Sequence, residues 1–301
     1  MLCKQQKRKK TTTTLEDMIA YTRRSKRYKD LHTHLVQLDA MIGLEELKEA
    51  VIAQIQFLIA NKGRLDDHFL NTVIKGPPGC GKTSVAELLF NIWNSLDIFG
   101  DGDTEFHILH RSDFVGSYMG HTANKTRKML EKYSGQVIFI DEAYSLCTGD
   151  KDEYGKEALD QLNAFMSEEK GKTVVIIAGY EDQLNELFFG SNGGLERRFG
   201  WSFTIKEYTI PEMYQIFLKQ LKKNKWSVEK NCQHLFEKHT LKNAGGDTDN
   251  IAFKSKLAYS KRCWRHKRQT RVLKVDDIKE GIRQHFINKK DDHDPTHNMY
   301  I

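Results

Sequence analysis

Two of the chain's four prolines are adjacent, and both lie in the glycine-rich octapeptide Gly76-Pro77-Pro78-Gly79-Cys80-Gly81-Lys82-Thr83. No other stretch restricts the fold as tightly. Proline fixes φ near about −65°, and glycine reaches the left-handed region without a Cβ clash, so the segment is a loop of one defined shape. Thr72–Lys75 before it is a short, mostly β-branched run. After it, Ala86, Leu89, Phe90 and Trp93 recur at helical spacing. The reading is a strand, a stiff loop and an amphipathic helix in direct succession, with the loop fitting G-x-x-x-x-G-K-[ST].

A strand that feeds straight into a helix asks for parallel neighbours. Phe106–Leu109, Val137–Ile140, Thr173–Ala178 and Ser202–Ile205 read as further strands. Several are continuously apolar, as strands covered on both faces are. Helical patterns separate them, such as Ala158, Leu162, Phe165 and Met166, and Leu44, Leu47, Val51, Ile55 and Leu58 mark a helix over 44–60. The fold class is α/β with a parallel sheet. From Pro211 the strands stop, and 211–223, 229–241, 249–265 and 276–288 read as helices of a smaller domain. Residues 1–14 read as a flexible tail and 15–36 as one very basic helix. The division is a basic segment 1–36, an α/β domain 37–209, a helical domain 210–290 and a tail 291–301.

Charge and cysteine usage narrow the function classes. The net charge of +6 is unevenly spread: residues 1–36 hold ten basic and three acidic side chains, and 254–271 hold eight basic and no acidic ones. The rest of the chain is therefore net acidic, which argues against a uniformly basic nucleic-acid binder. The five cysteines are scattered and odd in number, which points to a reducing, intracellular setting. No apolar run reaches the roughly 18 residues of a membrane span, so a soluble chain is expected.

The octapeptide points to phosphate. Its glycines let backbone N–H groups converge on phosphate oxygens, and the helix N-terminus favours negative charge. Lys82 is expected at the β- and γ-phosphates, and Thr83 is expected to put its hydroxyl on Mg²⁺. Gly76, Pro77, Pro78, Gly79, Cys80, Gly81 and the following Ser84 complete this nucleotide-binding set. A second piece follows the buried run Val137–Ile140: the adjacent carboxylates Asp141 and Glu142. Asp141 is expected to hold Mg²⁺ through water, and Glu142 to polarise the attacking water. Together the two pieces point to ATP hydrolysis.

Carrying these motifs, the chain resembles the AAA+ ATPases over roughly residues 39–290. Within them it is most similar to the branch of CbbX, the red-type Rubisco activase, and stage V sporulation protein K. The stretches AMIGLEELKEAV at 40–51, DFVGSYMGHTANKTRKML at 113–130, VIFIDEAYSL at 137–146 and VVIIAGYEDQLNELF at 174–188 carry the closer match. The resemblance implies a five-stranded parallel sheet, a helical lid, and a ring, usually of six subunits, with ATP between neighbours and pore loops that pull on a protein client. It implies that Ile42 and Gly43 border the adenine. It implies that Tyr118, Met119 and Gly120 form the pore loop, with Tyr118 gripping. Gly193–Phe199 matches the arginine-finger segment, with Arg198 the first choice and Arg197 the second.

The resemblance has two departures. The fourth strand ends in Ala178-Gly179-Tyr180, where many members carry a polar Asn or Thr, and Tyr180 joins the nucleotide site as the group that could stand in. The lid reads Asn243-Ala244-Gly245-Gly246, with Gly246 where the family often has a phosphate-contacting arginine; Lys254 is the first candidate to compensate. Trp264, with Phe253 and Leu257 on one helix stripe, is expected to pack the lid core and leave the cations outside. Cys80 reads as a small residue tolerated in the loop. Cys232, His234 and His239 do not converge on one helix face, so zinc is not expected. Two other function classes stay open: a nucleic-acid motor or loader, suggested by the basic segments, and a nucleotide-gated scaffold with little turnover.

Overall fold

The computed structural model describes residues 13–61, 70–100, 103–116, 118, 120–149, 151–239, 241, 243–264 and 270–291. Of the residues read from sequence, Met119, residues 265–269 of the basic stretch 254–271, and the terminal tails 1–12 and 292–301 lie outside these. The chain divides into two compact units. One runs up to Lys75 and resumes over Thr83–Thr204; the other joins Gly76–Lys82 to the chain from Ile205 onward.

In the first unit, helices α1 (Leu15–Arg23), α2 (Lys29–Asp39) and α3 (Glu45–Ala60) precede the sheet strands β1 (Thr72–Lys75), β2 (Phe106–Leu109), β3 (Val137–Ile140), β4 (Val174–Gly179) and β5 (Trp201–Thr204). Between strands run α4 (Lys82–Asn94), α5 (Arg111–Phe114), α6 (His121–Lys132), α7 (Glu153–Glu168) and α8 (Glu181–Gln183), the last continuing as a π-helical turn, Leu184–Phe189. The sheet is parallel throughout, in the order β2-β3-β4-β1-β5. Three strands coincide with the sequence reading, and β4 and β5 differ by one residue.

Central β3 and β4 are buried at every position, whereas edge strands β2 and β5 keep exposed positions. Successive residues of a strand point to opposite faces. Ile138, Ile140, Val175 and Ile177 accordingly join Leu130 of α6 and Leu159, Leu162 and Phe165 of α7 in one core. Phe139 stacks instead on Phe106, which meets Phe90 of α4. The continuous apolar runs are thus two alternating sets serving two faces.

The basic segment 15–36 forms two helices rather than one. A Thr14–Asp17 capping box opens α1, and the backbone turns at Arg24 and Ser25 before α2 begins. Met18, Leu31, Leu35 and Leu38 are buried, so this segment contributes core as well as charge.

The second unit contains α9 (Ile210–Lys223), α10 (Ala244–Cys263), α11 (Val275–Asp291) and a two-residue parallel pairing of β6 (Ser227–Val228) with β7 (Val272–Leu273). Strand pairing therefore does not end at Pro211. Phe217, Phe236, Ile251, Tyr259, Leu273 and Ile278 form its core. Among the described residues of 229–241 the expected helix does not form; Gln233–Leu235 makes a single helical turn. Asn231 Oδ1 accepts the Gln233 N–H and the Tyr214 hydroxyl accepts the Cys232 N–H, both at 2.9 Å, which diverts two donors a helix would use. The α10 stripe is also corrected. Phe253, Leu257 and Trp264 face outward, with Trp264 79% exposed, because Ile251, Ala252, Ser255 and Tyr259 fill the inner face. No helix among the described residues is long and apolar enough to cross a membrane.

Candidate functional site

The glycine-rich loop follows β1 and opens α4, as its spacing requires. Gly79 and Gly81 have φ of 68° and 91°, so both need the conformational range of glycine. A Cβ on Gly81 would meet nothing within 4 Å, which leaves one side of the loop open. The loop carbonyls are engaged elsewhere. The Lys82 ammonium donates to the Gly76 and Pro77 carbonyls at 3.0 and 2.9 Å, the Tyr208 hydroxyl to Cys80 O at 3.0 Å, and Gly245 N–H to Gly79 O at 3.0 Å. Burial pushes the Tyr208 hydroxyl up to about 12, so it remains a donor at neutral pH. Four of the loop's carbonyls are thus committed to groups within the chain. Cys80 is only 2% exposed, which fits a packing residue. Ser84 is exposed on the first turn of α4.

The Asn243–Gly246 stretch meets this loop through backbone. A Cβ on Gly245 would lie 2.5 Å from Gly79 O, and one on Gly79 would lie 3.2 Å from Gly246 N. The Lys254 ammonium donates to the Gln284 carbonyl of α11 at 2.9 Å. Tyr208 and Gly245 were not singled out from sequence. Each acts on the loop's backbone, for which the sequence carries no pattern.

Within the first unit, the α4 hydroxyl meets the first of the two acids. Thr83 Oγ1 donates to Asp141 Oδ2 at 3.1 Å, and Asp141 Oδ1 accepts the Glu142 N–H at 3.0 Å. A hydroxyl and a carboxylate this close suit a hard divalent cation, and an ammonium at the N-terminus of a helix that follows a glycine-rich loop suits phosphate. Glu142 is exposed and adopts φ 49° and ψ 46°, a left-handed backbone uncommon for a non-glycine residue. Such strain concentrates at working sites. Tyr180 follows β4 and stacks on Tyr144, with centroids 5.4 Å apart and an interplanar angle of 21°.

The remaining sequence-read residues are placed as follows. Ile42 is half-buried and Gly43 has φ of 64°, just ahead of α3, where Leu44 repeats the left-handed turn. Tyr118 is 69% exposed between Gly116 and Gly120, and Gly120 has φ of 78°. Arg197 is exposed, whereas the Arg198 guanidinium donates to Ser167 Oγ and the Gly194 carbonyl.

Comparison with known proteins places this geometry. Residues 72–199 match the AAA family, the ATPase family associated with various cellular activities. A cfxQ-like protein of Acanthamoeba polyphaga mimivirus is 30% identical over 281 residues, covering 90% of this chain and 69% of that protein. Stage V sporulation protein K of Bacillus subtilis is 31% identical over 205 residues, covering 65% of this chain and 62% of that one. The crystal structure of the FIGL-1 AAA domain in complex with ADP matches with a TM-score of 0.58 over 81% of this chain and 82% of that one. At 18% identity this likeness speaks for the fold alone. The chain belongs to the AAA family of ATPases, in the branch of the cfxQ-like proteins and stage V sporulation protein K.

Proposed function

We propose that the chain is an ATP-driven protein-remodelling motor that works as a ring of six subunits. Lys82 and the amide groups of Gly79–Thr83 would hold the β- and γ-phosphates, with Ile42 and Gly43 bordering the adenine. Thr83 and Asp141 would hold Mg²⁺, which when bound neutralises charge on the phosphate oxygens. Glu142 orients the attacking water and accepts its proton on a carboxylate oxygen. Arg198 of a neighbouring subunit would reach the γ-phosphate. Its two bonds within the chain go to neutral oxygens, which a charged phosphate outcompetes. Arg197 is the second choice. Mixing Arg198→Ala subunits with Glu142→Gln subunits is expected to restore part of the turnover each lacks alone, and no recovery in verified mixed rings would remove the trans role.

The observation that carries remodelling is Tyr118, exposed on a glycine-flanked loop. A large ring with no core to fill is available to grip a polypeptide. ATPase rates with and without an unfolded protein such as casein test this. Tyr118→Ala is expected to abolish stimulation, and full stimulation in that variant would overturn the pore role.

One observation favours a nucleic-acid client as the second reading. Phe253 and Trp264 are exposed on α10 beside Lys256 and Lys261, and exposed aromatics among cations can stack on bases. Stimulation by single-stranded DNA or RNA that falls steeply with salt and is lost in Trp264→Ala would select it.

A further inference from the structure

The arginine segment 193–199 has little regular structure of its own. Glu196–Arg198 is a single 3-10 turn. A turn this short does not hold itself, because nucleating it costs more than its few hydrogen bonds return. Its position therefore depends on what it is fastened to. Leu195 is buried in the core it shares with α7, and Phe199 meets Phe188 and Phe189 edge-on. Two asparagines then fasten the backbone, one at each end.

Asn71 holds the rear. It is 2% exposed and directly precedes β1. Its Oδ1 accepts the Val175 N–H of β4 at 2.8 Å, and its Nδ2 donates to the Arg198 carbonyl at 3.0 Å. The Trp201 N–H of β5 donates to the Asn71 backbone carbonyl at 3.3 Å. A side-chain amide carries an acceptor and a donor on one carbon. Its partners fix which is which, since one is a backbone N–H and the other a carbonyl. The buried amide thus ties the arginine turn to the middle of the sheet. It does so at the start of β1, whereas the glycine-rich loop follows the end of that strand, about 13 Å further along at the rise of an extended chain.

Asn192 holds the front. Its Oδ1 accepts the Gly194 N–H at 2.9 Å, and its Nδ2 donates to Asp160 Oδ1 of α7 at 2.7 Å. The Asn163 amide of α7 donates to the same Asn192 oxygen at 3.3 Å. The Gly194 carbonyl in turn accepts from the Arg198 guanidinium at 2.5 Å, and Ser167 Oγ of α7 accepts from Arg198 Nε at 2.8 Å. Backbone and guanidinium are both referred to α7 and the sheet.

We infer that Asn71 and Asn192 are positioning residues that hold the 193–199 segment so that Arg198 is presented to a phosphate bound by a neighbouring subunit. Asn71 acts through the Arg198 carbonyl, and Asn192 through Gly194. The inference rests on the trans role of Arg198 proposed above. Its consequence is that each asparagine serves the next subunit's site and not its own.

The test is phosphate release and ATP affinity for Asn71→Ala, Asn192→Ala and Arg198→Ala, each alone and in verified mixed rings with Glu142→Gln. Thermal midpoints near wild type show that a variant is folded. Asn192→Ala gives up only exposed or part-exposed bonds, so it carries the test should Asn71→Ala be unstable. Asn71→Ala is expected to lower turnover about tenfold and Asn192→Ala about threefold, with ATP affinity within about twofold of wild type, because a misplaced guanidinium costs the transition state and not binding. Asn71→Ala combined with Arg198→Ala is expected to match Arg198→Ala alone, since groups that act as one unit are not additive. In mixed rings each asparagine variant is expected to recover turnover as Arg198→Ala does, because Glu142→Gln subunits lend intact arginines to its intact sites. A merely structural defect stays in its own subunit, and a neighbour does not repair it. Wild-type turnover in the folded asparagine variants would overturn the inference. So would a loss that mixing leaves unrepaired while the Arg198→Ala control recovers. No recovery of Arg198→Ala itself would remove the trans arginine, and this inference with it.

Discussion

The end of β4 and the start of α10 both depend on a glycine that admits something closer than a side chain would allow, and what each admits is different. At Gly179 the neighbour is the Tyr144 ring; at Gly245 it is the Gly79 carbonyl of the glycine-rich loop. A ring at the end of two rotatable bonds can shift by a few tenths of an ångström. A loop carbonyl cannot move without its loop. The first contact therefore bears on a side chain, and the second on a backbone. The Asn243–Gly246 stretch carries no arginine, and its glycine pair meets the loop directly.

Substitutions at the two glycines should differ in size and kind. Gly245→Ala is expected to be the more severe. Alanine in a helix normally gains about 1 kcal/mol over glycine. Here its Cβ meets a backbone oxygen, and overpacking of this kind costs about 1–3 kcal/mol. Thermal unfolding should show a midpoint several degrees lower, with weakened nucleotide binding. A raised midpoint would break the comparison. Gly179→Ala presses on the Tyr144 ring, which can give way, and should lower the midpoint by less than Gly245→Ala does; an equal or larger fall would break the comparison. Lys254→Ala should be the mildest, removing a part-exposed bond to the Gln284 carbonyl worth about 1 kcal/mol. Its ATP affinity and turnover should match wild type, and a clear loss of affinity would return Lys254 to the role of the missing arginine.

The two units were unequally legible. Val137–Ile140 and Thr72–Lys75 announce themselves because central parallel strands are apolar on both faces and end at sharp chemical signals, a carboxylate pair and a glycine loop. The second unit offers no such contrast. Residues 229–241 have helical composition, but Tyr214 of α9 captures the Cys232 N–H, and only the tertiary structure supplies that partner. The Phe253, Leu257 and Trp264 stripe has the spacing of a buried face, and periodicity does not say which of two stripes turns inward. At the site, the spacing of Lys82, Thr83, Asp141 and Glu142 was readable residue by residue. The DEAY and AGY stretches were visible as a pair; that one glycine seats a ring between them was not, because a missing Cβ has meaning only beside its neighbour.

The central claim is that Glu142, held in a left-handed turn beside Asp141, is the group that activates water. Phosphate release at saturating ATP and Mg²⁺, measured for wild type and Glu142→Gln alongside ATP affinity, tests it most directly. The account predicts that Glu142→Gln lowers turnover by about a hundredfold or more while ATP binds within a fewfold of wild type, since a glutamine keeps the shape and cannot accept the proton. Turnover close to wild type in Glu142→Gln, with binding intact, would contradict it.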